Sequence, residues 1–238
     1  MGALTINTNL ASLNSQRVLE LSRFQLGKSI TRLSSGIKIN GASDGAAELA
    51  LTEGIRSDVQ ALKQGARNLS DGQSLIRTAE GALSEVSSIL IRLRSLASQA
   101  ANGTVGDDER QTVNLEYQNL VSELDRISSV TEFLGTQLLD GSLADSAAEH
   151  LVLQLGVDSS SDNQIDLNAE IDLTEVSSSA LNLGDSNLNT QGGAFLALND
   201  LTVAIDGLID NRAKVGSVEV RLTSALNNIN SQIENLTA

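Results

Sequence analysis

The chain has 238 residues, with 16 Lys and Arg against 30 Asp and Glu, and its formal net charge is −14. This charge disfavours binding to a nucleic-acid backbone, and the absence of Cys excludes disulfides and thiolate chemistry. Proline is also absent, which permits long uninterrupted helices, and no apolar run is long enough to predict a membrane-spanning helix.

The first predicted element is an amphipathic helix that ends near residue 33. Apolar residues recur at loosely helical spacing from Ile6 to Leu33, and interspersed Asn and Gln dilute the pattern. Such a helix is marginal in isolation. The opening stretch MGALTINTNLASLNSQ has neither the basic start nor the apolar run of a secretory signal peptide, so export would need a route without one.

The segment RLSSGIKINGASDGAAELAL, residues 32–51, interrupts the helical pattern with Ser, Asn and Gly. We predict a non-helical connection over residues 34–45, in which glycines permit a turn, two isoleucines tether the segment to a neighbour, and an aspartate caps the next helix. These residues are Gly36, Gly41, Ile37, Ile39 and Asp44.

The strongest pattern in the chain is a heptad series, which predicts a helix from about residue 44 to residue 101. A companion apolar stripe follows it, first four and then three positions further on. A helix of this length is on the order of 85 Å long, so it needs partner helices to cover it. The heptad positions are Ile55, Leu62, Leu69, Ile76, Leu83, Leu90 and Ala97.

Two further helices are predicted to supply those partners. NGTVGDDER, residues 102–110, breaks the long helix, and its acidic residues favour the start of the next helix through the helix dipole. We expect this second helix to fold back antiparallel on the first. A final stripe from Leu198 to Leu236 predicts a third long helix, which has no glycine or proline stop before Ala238.

A small β region is predicted between these helices. HLVLQLGV, residues 150–157, and IDLNAEIDL, residues 165–173, have the pattern of strands, and DSSSDNQ is typical of the turn between them. Residues 174–193 are predicted to be a loop. The predicted fold is mainly α: a long antiparallel coiled-coil-like helical rod with a small β-hairpin region.

Catalytic and metal-binding motifs do not explain the sequence, which has one His and therefore no His-pair zinc site. We expect that residue, His150, to be structural and half-exposed. SRFQLGKS, residues 22–29, lacks the first glycine of a phosphate-binding loop, and residues 158–169 have Ala169 where a calcium loop needs Glu. The sequence thus predicts a structural protein without cofactor or metal, and not an enzyme.

Several sequence blocks, in order and spacing, resemble bacterial flagellin, the subunit of the flagellar filament. Gly45 replaces the second Asp of the family's R-L-S-S-G block. The resemblance is strong over residues 1–141 and extends to 192–238 by helical pattern. The matching blocks are INTNLASLNSQR (6–17), RLSSGIKINGASDGAAELAL (32–51), ARNLSDGQSLIRTAEGALSEVSSIL (66–90), LRSLASQAANGT (93–104) and TEFLGTQLLDG (131–141).

The resemblance implies five segments: an N-terminal inner-tube helix, a spoke linker, the N-terminal part of an outer-tube helical domain, a reduced variable region with the β-hairpin, and the C-terminal outer-tube helix. Their bounds are 1–33, 34–45, 46–141, 142–191 and 192–238. The family's C-terminal inner-tube helix, with the site of its export chaperone, is expected to be missing from this chain. The implied filament-assembly residues are Leu10, Leu13, Leu21, Phe24, Ile30 and Leu33.

The resemblance also implies partners. It predicts an extracellular subunit that polymerises with itself, leaves the cell through the flagellar type III export apparatus, and assembles beneath the flagellar cap. A vertebrate Toll-like receptor for flagellin is a further implied partner, and the family's receptor motif corresponds to LIRLRSLA, residues 90–97. The implied receptor contacts are Arg92, Leu96 and Glu116. Nucleic acid and membrane are not expected as partners.

Two other functions stay open at this point. A hook–filament junction protein shares the inner helices but usually diverges in the linker and in residues 66–90. A cell-surface flagellin homologue that binds a ligand such as polysaccharide would need an aromatic platform, and the chain has no Trp, one Tyr and three Phe. A flagellin with an inserted protease is excluded because the H-E-x-x-H motif is absent.

Overall fold

The computed structural model describes residues 9–36, 38–41 and 45–238, and the chain divides into two compact units, Met1–Asp58 and Val59–Ala238. The predicted mainly helical fold is confirmed. The elements in chain order are α1 (Leu10–Ser35), α2 (Ala46–Ala101), α3 (Asp107–Val130), β1 (Glu132–Phe133), β2 (Thr136–Gln137), β3 (Val152–Gln154), β4 (Gln164–Asp166), α4 (Leu167–Ile171) and α5 (Gln191–Thr237).

In the first unit, α1 begins after Asn9, whose side chain accepts a hydrogen bond from the Ser12 N–H group at 3.2 Å. The helix ends at Gly36, which has a φ of 68° in the left-handed region that favours glycine. The described residues between α1 and α2 are not helical, as the breaker residues predict. The helix nevertheless includes Ser34 and Ser35, because the left-handed cap comes only at Gly36.

The second unit contains α2 from Val59 onward, α3 and α5, and the heptad residues of α2 from Leu62 to Ala97 are all buried. Helix α3 runs antiparallel to α2, as predicted, because Arg92 contacts Glu116 while Arg110 contacts the carbonyl oxygen of Ala100. Helix α5 is also antiparallel to α2. The contacts that fix its direction pair Gln73 with Thr223 and Glu80 with Arg212.

The strands β3 and β4 form the predicted antiparallel hairpin, and its register pairs Leu153 with Ile165. The second strand, however, ends at Asp166 rather than continuing to residue 173. The Asp166 carboxylate accepts hydrogen bonds from the N–H groups of Asn168 and Ala169 at 3.0 and 3.2 Å, which is the geometry of a helix N-cap. The cap starts α4, so the strand predicted over Leu167–Ile171 is wrong.

Two pieces of the fold have no counterpart in the sequence-based prediction. The strands β1 and β2 form a second small hairpin, whose turn residues Leu134 and Gly135 both have positive φ. The predicted loop before α5, residues 174–193, has an irregular backbone. It is hydrogen-bonded to α3 at several points and runs antiparallel to that helix. Its anchors pair Asp125 with Ser178, Gln118 with Ser186, and Asn114 with Leu188.

By length and composition alone, α5 is apolar enough to cross a membrane. Its residues from Ala194 to Leu222 that face the other helices are buried in the core of the second unit. A core helix of this kind satisfies the same compositional test, so the observation adds no membrane contact to the fold.

Candidate assembly and receptor-contact surfaces

Helix α1 has large apolar side chains but no buried residue. The six predicted assembly residues are all exposed, from 50% for Leu13 to 87% for Leu33. Three further large apolar residues of α1 that the prediction omitted are exposed as well: Val18, Leu19 and Leu26. Val18 and Leu19 lie between Arg17 and Glu20, and Leu26 lies between Gln25 and Gly27, so non-apolar neighbours obscure their place in the pattern.

The apolar residues of α1 lie on two opposite sides of the helix. Successive residues are rotated by about 100°, so Leu10, Leu13, Leu21 and Phe24 share one side, whereas Leu19, Leu26, Ile30 and Leu33 share the other. A helix on the surface of a globular protein normally has one apolar stripe. Helix α1 instead has an apolar surface on each of two opposite sides.

The linker residues are only partly within the described chain. Ile37 and Asp44 lie outside the described residues, and Ile39 is half-buried. Of the two predicted linker glycines, Gly36 adopts the left-handed conformation, with a φ of 68°. The Asn40 side-chain amide donates hydrogen bonds to the Thr31 carbonyl and the Ser35 hydroxyl at 3.2 and 2.7 Å. These bonds fold the linker back onto the last turn of α1.

At the start of α2, the Gly45 carbonyl oxygen accepts a hydrogen bond from the Leu49 N–H group at 2.9 Å. This is the first bond of the helix, and the residue that accepts it occupies the N-cap position. Asp44 was predicted in that role, but Gly45 holds the position in the described structure.

The packing of α2 on α3 leaves two of the three implied receptor contacts exposed and buries the third. Arg92 Nε donates a hydrogen bond to Glu116 Oε1 at 2.8 Å, and the two side chains are 54% and 46% exposed. Leu96 differs from this expectation, because it is only 2% exposed and belongs to the core with Leu93 and Ala97. Its side chain therefore supports the surface from beneath.

Arg110 is an important polar residue that the sequence analysis missed. Its side chain is buried, and its guanidinium donates to the carbonyl oxygens of Ala100 and Asn102 at 2.9 and 3.1 Å, and to Asp107 Oδ1 at 3.0 Å. The last carbonyl groups of a helix have no partners within the helix. A basic residue just after the break in NGTVGDDER was the available indication of this cap.

A cleft of about 230 Å³ lies between the turn of the β3–β4 hairpin and α5. Leu62 and Ile229 supply apolar lining, and Asn163, Arg221 and Gln232 supply polar lining. None of the described residues that line it is aromatic. Nor do the described residues contain a group of three His, Cys, Asp or Glu side chains that could hold a metal ion.

The family model for the bacterial flagellin N-terminal helical region matches residues 6–144. This chain belongs to the flagellin family. Flagellin from Halalkalibacterium halodurans is 36% identical over 237 residues, which cover 99% of this chain and 83% of that protein. Flagellin from Bacillus subtilis is 35% identical over 266 aligned positions, with coverage of 99% and 85%. Flagellins are structural subunits of the extracellular flagellar filament, and this chain is such a subunit.

Solved structures agree with this membership. The crystal structure of Bacillus cereus flagellin has a TM-score of 0.57 and 34% identity, and the match covers 68% of this flagellin and 88% of that chain. Bacillus cereus FlgL has a TM-score of 0.58 at only 15% identity, over 81% and 100% of the two chains. The likeness to FlgL shows the fold alone, whereas the likeness to flagellin is also one of sequence.

Proposed function

We propose that α1 is the element through which this flagellin packs against other subunits in the filament, while the second unit holds its own core. The observation that carries the proposal is that every large apolar residue of α1 is exposed, by 50% to 87%. By contrast, the second unit buries a continuous cluster that runs from Leu62 to Ile229. The two units therefore differ in whether their apolar surface is already covered.

Energetics favour a helix that is covered on both sides. Burying one large apolar side chain contributes about 1.5–3 kcal/mol. Burial of both sides between subunits brings eight such side chains into the balance, against four if only one side is covered.

Substitutions on each side of α1 test this proposal in the full-length protein. Phe24→Asp changes one apolar side and Ile30→Asp changes the other. Each is expected to reduce the incorporation of labelled subunits onto filament seeds by at least tenfold, as measured by sedimentation and electron microscopy. The second unit is expected to unfold at the same denaturant concentration in both variants.

The matched control is Gln25→Glu, which adds the same charge at an exposed polar residue that lies between the two apolar sides of the helix. It is expected to leave incorporation within about twofold of wild type, because a surface substitution of this kind usually changes stability by less than about 0.5 kcal/mol. Normal incorporation by Phe24→Asp and Ile30→Asp contradicts the proposal. Loss in only one of them contradicts the requirement for two sides.

A second proposed function is recognition by the vertebrate Toll-like receptor for flagellin. The exposed pair of Arg92 and Glu116 supports it, because both side chains are accessible and held in a defined geometry. Within LIRLRSLA, Ile91 and Ser95 depart from the family's Gln and Glu. Leu96 contributes to the proposal as a core residue beneath the pair and not as a direct contact.

Receptor activation by three variants separates contact from simple folding effects. Arg92→Asp is expected to reduce activation by at least tenfold, whereas Arg94→Asp, an exposed neighbour on another face of α2, is the control. The double variant Arg92→Glu with Glu116→Arg restores the ion pair but reverses its charges, and it is expected to remain inactive. Activation by Arg92→Asp at the wild-type level contradicts the proposal that Arg92 contacts the receptor.

Membership of the family also supports the flagellar type III export apparatus and the filament cap as partners. The alternative of a polysaccharide-binding surface protein receives no support from the cleft beside α5, because its described lining has no aromatic side chain for stacking on a sugar ring. The junction-protein alternative rests on fold similarity alone.

A further inference from the structure

The imidazole ring of His150 lies between two oxygen atoms. Its Nδ1 atom is 2.6 Å from Asp166 Oδ2, and its Nε2 atom is 3.1 Å from the carbonyl oxygen of Asp145. Both oxygens are acceptors if the carboxylate is ionised. A neutral imidazole has one N–H group and can donate to only one of them, whereas the imidazolium has two N–H groups and satisfies both.

We propose that His150 and Asp166 form a pH-sensitive latch that fastens the loop before β3 to the junction of β4 and α4, closed when the ring is protonated and loosened when it is neutral. Asp166 is well placed for this role because it also caps α4 through Oδ1. One carboxylate thus joins the histidine to the start of a helix.

The layer that the latch secures is joined to α5 through α4, whose Leu167 and Ile171 are buried in the core. Beyond the cap, α4 is joined to α5 by the ion pairs Glu170–Arg221 and Asp172–Lys214, the latter at 3.1 Å. Asp172 Oδ1 also accepts a hydrogen bond from the Asp145 N–H group at 3.2 Å. The peptide groups of Asp145 are therefore held on one side by Asp172 and on the other by His150.

Asn168 completes this arrangement from the interior. Its buried side-chain amide donates to the carbonyl oxygens of Ser142 and Ala144 at 2.8 and 3.0 Å, and its Oδ1 accepts from the Leu151 N–H group at 2.8 Å. The amide and carbonyl groups in these bonds do not titrate, so the bonds do not depend on pH. They hold the two ends of the loop, so the protonation of His150 controls the segment between them.

The charges around the ring favour its protonated form, in which the latch is closed. The hydrogen bond with Asp166 raises the pKa of His150 above its ordinary value, although burial acts in the opposite direction, and the charges of Asp166 and Asp145 add to the increase. Burial opposes ionisation of Asp166, but its bonds with His150, Ala169 and Asn168 outweigh burial and lower its pKa.

The sign of the pH dependence follows from these directions. A histidine with a raised pKa stabilises the folded state fully below its unfolded value of about 6.5, and this stabilisation is lost as pH rises through the raised value. An aspartate with a lowered pKa stabilises above about 3.9, and this is lost as pH falls through the lowered value. The latch is strongest between about pH 4 and pH 6.5.

His150 is placed to respond to the pH of the surrounding solution. The chain has one His and no Cys, so His150 is the only side chain whose ordinary pKa lies between about 5 and 8. Its side chain is 32% exposed and therefore in contact with water. A flagellin works outside the cell, where the external pH acts on it directly.

The experiment is an NMR titration of the His150 Cε1–H resonance in the folded protein, where a single histidine gives a single signal. The midpoint is expected above about 6.5. Asp166→Asn should lower the midpoint toward that value, because Asn keeps the ability to cap α4 but removes the charge. Glu149→Gln, which removes the exposed carboxylate of the preceding residue, is the control and should leave the midpoint nearly unchanged.

Amide hydrogen exchange provides the structural readout. After correction for intrinsic exchange rates, the β3 amides of the wild type should exchange faster above the His150 midpoint, and His150→Gln should remove this pH dependence. A midpoint at or below about 6.5, a midpoint that Asp166→Asn does not lower, or a pH dependence that persists in His150→Gln overturns the proposal.

Discussion

The carbonyl oxygen of Leu155 lies 2.0 Å from the position that a Cβ atom on Gly65 would occupy, so the end of β3 rests directly on the backbone of α2. Gly72, two turns further along the helix, is equally close to the side chain of Leu153, at 2.5 Å for the nearest atom. Between them the Asn68 side-chain amide donates to the Gln154 carbonyl at 2.8 Å. The β layer therefore packs closely on α2 at two glycines, which leave room for Leu155 and Leu153, and is joined to it there by one hydrogen bond.

Gly65→Ala is predicted to destabilise the second unit. Alanine gains about 0.5–1 kcal/mol in a helix relative to glycine, but its methyl group must displace the Leu155 backbone, and overpacking costs about 1–3 kcal/mol. The free energy of unfolding in urea should fall. Gly81→Ala is the matched control, because a Cβ there meets nothing within 4 Å, and this variant should be more stable than wild type. A stabilised Gly65→Ala variant refutes the close contact.

Arg110→Met is predicted to lower the free energy of unfolding by about 1–3 kcal/mol, because buried carbonyl groups at the end of α2 lose their donors. Arg126→Met is the control. Arg126 forms an exposed ion pair with Glu123 within α3, and such pairs contribute less than about 1 kcal/mol. Equal effects of the two substitutions in urea unfolding argue against a capping role for Arg110.

Leu134→Asn is predicted to raise the thermal unfolding temperature by a few degrees, equivalent to about 0.5–1 kcal/mol. Leu134 has a φ of 50° at the first turn position of the β1–β2 hairpin, where Asn followed by Gly is strongly preferred. The side chain is 89% exposed, so little packing is lost. Leu115→Asn, at an exposed site within α3, should not be stabilising.

Tyr117 provides a test at alkaline pH. Burial raises the pKa of its phenol above the ordinary value, the Ser186 hydroxyl acts in the opposite direction, and the charge of Asp200 adds to the increase. Stability should therefore fall as pH rises above about 10. Because the chain has one Tyr and no Trp, phenolate absorbance reports this group alone. A folded-state midpoint equal to that of the urea-unfolded chain contradicts the prediction.

The parts of the fold that depend on apolar repetition could be predicted from sequence. The heptads of α2 predict its buried side because helix–helix packing selects one stripe over many turns. The break before α2 could also be located, since several breaker residues occur together. The exposure of α1 agrees with its diluted pattern.

Most of the remaining features depend on contacts between residues distant in sequence, which local patterns do not contain. The Asp166 cap is an exception because it is local, and it outweighed the alternating pattern of IDLNAEIDL and produced α4. Gly65 and Gly72 resembled unremarkable interruptions of a helix until Leu155 and Leu153 were seen against them. Leu96 was expected at the surface because the family motif marks it, but its position on the inner side of α2 buries it.

Hydrogen exchange of α1 in the free subunit and in the filament tests the central claim most directly. A helix without buried residues should exchange within seconds in the free subunit, while buried amides of α2 between Leu69 and Ala97 are protected. In the filament, the α1 amides should become protected on both apolar sides, by at least a hundredfold. An α1 that is already protected in the free subunit, or one that stays unprotected in the filament, contradicts the claim that subunit packing covers this helix.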